Sequence, residues 1–379
     1  MIKRIKSLAI KESKFIVIPE LKKDELLSSW FARTAYAHHT HPQTFFNIHF
    51  GLENRELLKR DLDVVLNDES IVRTLTKKTG NKINILSLTL KKYTDHLYEN
   101  EIMNSANRIF ISNMKFCPMC LKEDKIAYLR QSWKIIFITT CTKHNCFLYD
   151  ACPKCSNSIS AIKMYQDKKS FIYCNKCGFD LRKSRNKKIN TDFFYGVKAQ
   201  KRLMSILKKG YIRFKNKWVY SFVFFITLIQ ITKLIFLRKY IKFIDKNPLF
   251  KLLKNKFIKH TKTSPPVFNR LCIQELFALF GLIMYIFNNY PKNFECFVQK
   301  NQLTHWDMVK EIKHLSFWYD TLVNDITPKY IAFGDLITKE ELENAKKYLE
   351  RKGIDITKAN LQRLFSTYNY FFKLNKIYL

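Results

Sequence analysis

Eight cysteine and histidine residues lie in closely spaced pairs between positions 117 and 177, and side chains in such pairs can bind a metal ion. The first four follow the order C-x2-C, a spacer and C-x2-H, and the second four follow C-x2-C-x18-C-x2-C. Two intervening residues let both side chains of a pair reach one tetrahedral zinc ion, and four protein ligands leave no open position for catalysis. The spacing therefore predicts two structural zinc ions as cofactors. The predicted ligands are Cys117, Cys120, Cys141 and His144 for one ion and Cys152, Cys155, Cys174 and Cys177 for the other.

The same cysteines admit other interpretations. One zinc ion, or disulfide bonds, would use the same residues. The first residues mix charges throughout and show no export signal, which predicts a cytosolic chain and disfavours disulfides. Cys146 lies two residues past His144 and could compete as a ligand, although Cys146, Cys272 and Cys296 are expected to be buried as small apolar residues.

A second histidine-rich segment lies near the N terminus. It contains His38, His39 and His41. No cysteine or patterned carboxylate accompanies these histidines in the sequence, so surface or helix-capping positions are expected and metal binding is not.

The elements that must hold the cysteine pairs are expected to be mainly helical. Apolar residues recur at helical spacing after Asp24, which could cap the first helix. Further helices are expected from Pro42, over residues 54–65 and from Ser70 to Gly80. Several short helices joined by short turns are typical of helix-turn-helix domains.

Two patterns describe the rest of the chain. The short apolar runs 135–140 and 171–173 predict small strands between the cysteine pairs. Near the C terminus, a helix preceded by Thr338 is expected to end at Gly353, and a second one is expected to start near Thr357. This pair could be a second DNA-reading unit or a plain helical hairpin.

The predicted fold class is therefore mainly α with small zinc-ribbon β elements, and it divides into three domains. Residues 1–110 form an N-terminal helical domain of the helix-turn-helix type, and residues 111–186 form a double zinc module. Residues 187–379 form a C-terminal helical domain.

Charge points to a polyanionic partner. Lysine and arginine number 67 against 32 acidic residues, a net charge of +35, which favours nucleic acid or an anionic membrane surface. The uncharged runs 218–232 and 276–290 fall short of the ~18 to 20 apolar residues that a membrane-spanning helix needs. Buried helices and a DNA partner, without a membrane, are expected, in a protein of the bacterial cytoplasm associated with the nucleoid.

Several motifs together resemble the TniQ/TnsD family of transposon target-selection proteins. The central signature is similar in order and spacing: FCPMCL at 116–121, YLRQSW at 128–133, CTKH at 141–144, Leu148, and CPKC at 152–155. Near the N terminus, Pro19 and DELLSSWFAR at 24–33 resemble the opening motif, which continues through Thr79-Gly80. Trp30, Arg33, Arg130 and Trp133 match signature positions to which the sequence assigns no role.

The resemblance implies a role in choosing where a transposon inserts. Family members bind an attachment site directly or dock on a CRISPR effector with its guide RNA, and they recruit an AAA+ ATPase regulator of the TnsC type. A homodimer is a further possibility that the resemblance leaves open. An alternative from another class is a sequence-specific zinc-ribbon transcription regulator without transposase partners.

Enzymatic activity is not expected. The sequence contains no G-x4-G-K-[ST] phosphate loop, no G-x-S-x-G and no H-E-x-x-H motif. The chain is therefore predicted to act through binding alone.

Overall fold

The computed structural model describes residues 13–52, 62–64, 70–97, 111, 113–163, 165–166, 168–214, 217–236, 241–253, 268, 271–309, 317–326 and 339–364. These residues are mainly helical, as the sequence predicts, and they include two small antiparallel ribbons. They belong to two compact units, Met1–Asn301 and Gln302–Leu379. The predicted division into domains at residues 110 and 186 stays a prediction.

The first unit contains helices, two ribbons and several turns of 3-10 helix. Its α-helices are α1 (Leu27–Ala37), α2 (Pro42–Phe50), α3 (Ser70–Lys78), α4 (Lys91–Leu97), α5 (Pro118–Glu123), α6 (Phe194–Lys209), α7 (Ser221–Phe236), α8 (Ile273–Ile286) and α9 (Lys292–Lys300). Its strands are β1 (Thr140–Cys141), paired with β2 (Cys146–Phe147), and β3 (Tyr211–Phe214), paired with β4 (Lys217–Tyr220).

The N-terminal helices follow their sequence signals, with one exception. Proline opens α2, where the missing N–H would have no partner inside the helix, and α3 ends just before Gly80. The predicted cap at Asp24 is wrong, because Leu26 occupies the N-cap of α1 and makes no side-chain cap. The Asp24 carboxylate instead accepts hydrogen bonds from the N–H and hydroxyl of Ser132, at 3.2 and 2.5 Å. The predicted helix over 54–65 lies mostly outside the described residues.

Strand structure between the cysteine pairs is more limited than predicted. Only Thr140 of the run 135–140 lies in a strand, and Tyr173 of the run 171–173 makes a single bridge with Asp180. The side chains of residues 135–138 are all buried, and only Ile135 makes an isolated bridge, with Ile111, so their apolar character serves core packing and not a continuous strand. Burial of successive residues does not require a pleated backbone.

Both uncharged runs form largely buried helices, except that residues 218–220 of the first run lie in strand β4, where Trp218 and Tyr220 are exposed. The first run ends strand β4 and continues into α7, and the second forms most of α8. Helices α6 and α8 approach closely where glycine faces glycine. A Cβ added to Gly281 would lie only 3.5 Å from the Cα of Gly196. No helix in the described part of the chain is long and apolar enough to cross a membrane.

The second unit contains a small helical core. Its helices are α10 (His305–Val309), α11 (Phe317–Ile326), α12 (Lys339–Arg351) and α13 (Lys358–Leu364). The predicted pair α12 and α13 is confirmed, since Gly353 adopts φ +66° after α12 and the Thr357 hydroxyl accepts the N–H of Asn360 at 3.2 Å. Thr338, the predicted partner in a capping box, lies outside the described residues.

Candidate metal centres and an adjoining cationic cleft

The first predicted ligand set comes together as one tetrad. Its members are Cys117, Cys120, Cys141 and His144, whose ligand atoms all lie within 4.8 Å of one another. Nδ1 of His144 lies 3.4 Å from each of the three sulfurs, and the sulfurs of Cys120 and Cys141 are 3.6 Å apart. A tetrahedral zinc ion with Zn–S near 2.3 Å places its ligand atoms about 3.5 to 3.8 Å apart. The tetrad therefore has the dimensions of a zinc site.

Local structure explains why these four side chains converge. Cys117 is the N-cap of α5, so Cys117 and Cys120 lie one turn apart at the same end of that helix. Cys141 ends β1, and the connection to β2 passes through Asn145, which adopts φ +47°. Asparagine tolerates this left-handed conformation better than most residues. The tight turn brings His144 back over the sulfur of Cys141.

A carboxylate fixes the orientation of the histidine. Nε2 of His144 lies 2.9 Å from Oε1 of Glu123, the last residue of α5. Because Nδ1 is directed at the three sulfurs, Nε2 carries the proton and donates a hydrogen bond to the Glu123 carboxylate. A metal-binding histidine commonly donates its second N–H to a carboxylate in this way, which raises its strength as a ligand. The sequence analysis missed Glu123, although it lies three residues past Cys120.

The second predicted ligand set forms a tetrad of four sulfurs. It contains Cys152, Cys155, Cys174 and Cys177, again with all ligand atoms within 4.8 Å. The sulfurs of Cys152 and Cys177 are 3.8 Å apart, and those of Cys155 and Cys174 are 3.7 Å apart. These distances match a tetrahedral zinc site with four cysteine ligands.

Each pair in the second tetrad is followed by a left-handed residue. Ser156 adopts φ +55° after Cys155, and Gly178 adopts φ +66° after Cys177. Gly178 also lies against the ring of Tyr165, 2.5 Å from where a Cβ would be. The backbone conformation favours glycine at this position, and the close contact with Tyr165 leaves no room for a Cβ.

Backbone N–H groups and the neighbouring thiols shift the acidity of the sulfurs. In the second tetrad, the N–H of Asn157 is the main cause that lowers the pKa of Cys155 to about 7, whereas burial raises the pKa of Cys174 to about 12. In the first, hydrogen bonds from neighbouring thiols, led by Cys120, lower the pKa of Cys117, while the partner Cys120 has its pKa raised. Three or four thiolates crowded this closely repel one another, and a divalent cation offsets that repulsion. The donor sets suit zinc, and the two tetrads are positioned to hold two structural metal ions.

All ten cysteines are free thiols, which answers the disulfide alternative for this structure. The shortest sulfur pair given above is far longer than the roughly 2.05 Å of a disulfide bond. Cys146 is buried as predicted, with its sulfur 3.7 Å from that of Cys117. The predicted burial of Cys272 is wrong, because this residue is exposed at the N-cap of α8, and Cys296 is half-buried.

The N-terminal histidines occupy capping and packing positions. His41 is the N-cap of α2, and its Nδ1 accepts the N–H of Gln43 at 3.2 Å. Within the described residues, no metal-binding group includes these histidines. The predicted capping role is confirmed for His41.

Comparison with protein families assigns the first part of the chain. Residues 16–148 match the model of the TniQ family. The chain contains a TniQ domain. The resemblance carried by the cysteine signature is thereby confirmed, and it implies a DNA-targeting role associated with transposition. No curated protein matches the sequence.

The TniQ match includes the whole first tetrad and ends before Cys152. The second tetrad therefore lies outside the matched residues, although the two tetrads are neighbours in sequence. Their segments are also joined, because the N–H of Phe116 donates to the carbonyl of Tyr149 and the N–H of Tyr149 to that of Phe116.

Two signature residues of the TniQ domain form its inner contacts. Trp30 is fully buried and donates its indole N–H to the carbonyl of Pro19 at 3.1 Å. Arg33 is buried in an ion pair with Glu25, with nitrogen-to-oxygen distances of 2.9 and 2.7 Å. Glu25 also accepts the hydroxyl of Ser29 at 3.0 Å. These signature positions are structural anchors of the domain.

The other two signature residues connect the TniQ domain to its first tetrad. The guanidinium of Arg130 bonds the Asp124 carboxylate at 2.8 to 3.1 Å, directly after α5. It is also sandwiched between the rings of Tyr128 and Trp133, at 4.2 and 4.5 Å. Nearby, the side chain of Gln131 donates to the carbonyls of Glu25 and Ser87. The tetrad is thus fastened to the N-terminal helices.

Residues beyond the TniQ match also support the first tetrad. The amide of Gln200 on α6 accepts the N–H groups of Thr139 and Thr140 and donates to the carbonyl of Thr140. The Gln200 amide therefore makes the backbone hydrogen bonds that a neighbouring strand would make to β1, next to Cys141. Helix α6 is held at the tetrad by this contact.

A cleft of about 890 Å³ lies between α6, α4 and the first tetrad. Its lining includes the cations Lys23, Lys92, Arg130, Lys143, Lys201, Lys208 and Lys209, and one acidic side chain, Asp24. Arg130 and Lys143 are paired with carboxylates, whereas the carboxylate of Asp24 bonds Ser132. Burial lowers the pKa of Lys92, the charge of Asp24 opposes this shift, and the charge of Lys208 adds to it. Crowded cations of this kind favour an anionic ligand.

Proposed function

We propose that this protein is a target-site selection adaptor for DNA transposition. It binds target DNA, or a CRISPR effector with guide RNA that is already bound to DNA, and recruits an AAA+ ATPase regulator of the TnsC type. The eight side chains of the tetrads bind zinc and give the module its shape. Catalysis belongs to its partners, and the protein acts in the bacterial cytoplasm on the nucleoid, alone or as a homodimer.

The observation that carries this proposal is the cationic cleft beside the first tetrad. The TniQ domain supplies one wall, and α6 supplies the other with Lys201, Lys208 and Lys209. Phosphate groups of a DNA backbone are the polyanion that such a cleft suits, and their binding releases condensed counterions. The metal tetrads hold the cleft residues in a fixed position, while the lysines provide affinity for phosphate.

A duplex-binding measurement tests the proposal. Fluorescence anisotropy with a labelled duplex, across a salt series, is expected to give a slope of log affinity against log salt of about −5 if about six phosphates are neutralised. The double variant Lys201→Glu and Lys208→Glu is expected to lose at least about tenfold in affinity and about one unit of slope per lysine. Absence of duplex binding, alone and with the ATPase, would remove the DNA part of the proposal.

A matched charge control is available in the same unit. Lys77 and Lys292 are exposed and do not line the cleft. The double variant Lys77→Glu and Lys292→Glu changes the net charge by the same amount as the cleft variant. It is expected to retain affinity within about twofold, because the contribution comes from the site and not from the total charge.

Recruitment is tested separately. Co-purification of the full chain with the transposase, the AAA+ ATPase and any CRISPR effector encoded beside it identifies the partners. Sequencing of the bound nucleic acid then distinguishes a fixed site from guided targeting. A complex with none of these proteins would favour the zinc-ribbon transcription regulator.

A further inference from the structure

Strands β3 and β4 form a two-stranded ribbon with one apolar and one aromatic face. Ile212, Phe214 and Val219 are buried. The opposite face carries two cross-strand pairs, Tyr211 with Tyr220 and Arg213 with Trp218. Alternation along both strands therefore places three aromatic side chains and an arginine together on the outer face.

Two of the three aromatic side chains of this outer face are strongly exposed, and the third is partly exposed. Trp218 is 60% exposed and Tyr220 is 71% exposed, and Tyr211 is 37% exposed. The rings of Tyr211 and Trp218 pack edge to face at 4.7 Å, and the guanidinium of Arg213 lies 5.3 Å from the Trp218 centroid. Exposing an indole to water forfeits a large hydrophobic gain, so a grouped set of exposed rings indicates a ligand surface.

The charge around the ribbon indicates what kind of ligand fits. Residues 193–244 include twelve lysine and arginine residues and no aspartate or glutamate. Lys208 and Lys209 line the cationic cleft and immediately precede Gly210 and β3. A segment of this composition attracts a polyanion and repels a protein surface that carries few acidic residues.

We propose that the outer face of this ribbon binds an unpaired stretch of nucleic acid, whose bases stack on Trp218 and Tyr220. The lysines that lead from the cleft to the ribbon hold its phosphates. Aromatic stacking requires an open base face, which a single strand offers and a duplex covers. The inference goes beyond the proposed function, which concerns duplex DNA in the cleft, because it rests on the aromatic residues of the ribbon and shares only Lys208 and Lys209 with the cleft.

The test uses the full-length protein and labelled single strands of roughly 12 nucleotides, a length within the range of known single-strand sites. Oligothymidylate and oligouridylate are measured in parallel, and the tighter binder identifies the sugar. Trp218→Ala and Tyr220→Ala are each expected to weaken binding about tenfold, which corresponds to about 1.4 kcal/mol and is within the contribution of one stacked base.

Two control variants separate stacking from general damage. Trp306 in the second unit is 65% exposed, so Trp306→Ala removes an equally exposed indole and is expected to leave strand binding unchanged. Trp218→Phe keeps a stacking ring and is expected to retain most of the affinity, while quenching of tryptophan fluorescence on binding decreases. Loss of binding in Trp218→Phe equal to that in Trp218→Ala would argue against stacking.

Two results would overturn the inference. One is the absence of binding to either single strand, and the other is wild-type affinity in both alanine variants. If these variants instead lose a protein partner in co-purification, the ribbon is a protein-docking surface. Duplex binding measured on the same samples distinguishes this failure from failure of the proposed function, because Trp218→Ala and Tyr220→Ala leave every cleft lysine in place and are expected to keep the duplex affinity.

Discussion

Glu123 accepts a hydrogen bond from Nε2 of His144 at 2.9 Å, on the side of the ring opposite the three cysteine sulfurs of the first tetrad. This contact selects the ring nitrogen that faces the sulfurs. It also ties the end of α5 to the turn after β1, so a hydrogen bond joins the two halves of the tetrad in addition to the metal ion that the tetrad is positioned to hold.

Glu123→Gln tests this relationship. Removing the carboxylate is expected to weaken metal binding at the first tetrad about 10- to 100-fold, because the histidine loses the partner that orients it. Competition with a chromophoric chelator measures the change. Glu343→Gln is the control, since Glu343 pairs only with a lysine on α12 in the contacts described, far in sequence from either tetrad. Equal zinc affinity in the two variants would show that Glu123 has no part in metal binding.

Gly178→Ala tests the left-handed turn that follows the last pair of the second tetrad. A residue with a Cβ at φ +66° costs about 1–2 kcal/mol, and here the new methyl group also collides with the Tyr165 ring. Gly353→Ala is the matched control, because Gly353 has the same φ and nothing within 4 Å of an added Cβ. Zinc retention against a chelator is expected to fall for Gly178→Ala and to stay unchanged for Gly353→Ala. A second tetrad that is indifferent to Gly178→Ala would contradict the geometry.

Arg33→Met tests the buried ion pair of the TniQ domain. Leaving Glu25 buried without its cation is expected to reduce the free energy of unfolding by about 3–5 kcal/mol. The comparison is Lys346→Met, which breaks the more exposed pair with Glu343 and is expected to leave the free energy of unfolding almost unchanged, because solvent screens an exposed ion pair. Urea unfolding followed by circular dichroism measures both. Equal stability of the two variants would exclude a structural role for Arg33.

Cys152→Ser tests whether the second tetrad depends on its metal. Loss of one thiolate is expected to reduce zinc from two ions to one and to unfold the local segment, because a small module gains much of its stability from the metal. Cys272→Ser changes an exposed cysteine outside both tetrads and is expected to retain two ions. Metal analysis together with protease sensitivity of the segment checks the outcome, and two retained ions in Cys152→Ser would contradict it.

The sequence predicted the tetrads because short ligand spacing is a local property. Two residues between ligands restrict both side chains to one ion whatever the surrounding fold is. Helices α1, α2 and α3 were predictable for the same reason, since helical periodicity and a proline at the first position are local signals.

Contacts distant in sequence could not be predicted. Gln200 supports β1 from 60 residues away, and Asp24 bonds Ser132 across 108 residues, which displaced it from its expected capping role. The ribbon of β3 and β4 was also missed, although the alternation from Tyr211 to Phe214 is typical of a strand. The helical pattern on both sides of the ribbon led to a helical prediction for these four strand-forming residues as well.

Metal content of the purified full-length protein tests the account most directly. Elemental analysis after extensive buffer exchange is expected to find two zinc ions per chain. A strong chelator is expected to remove both ions. Acid pH is expected to release both as well, because the ligands must lose their protons to bind the metal. Two ions per chain would support the tetrads as the rigid framework of the TniQ domain and its neighbouring module. Protein that is folded and binds duplex DNA without zinc or another metal would contradict it.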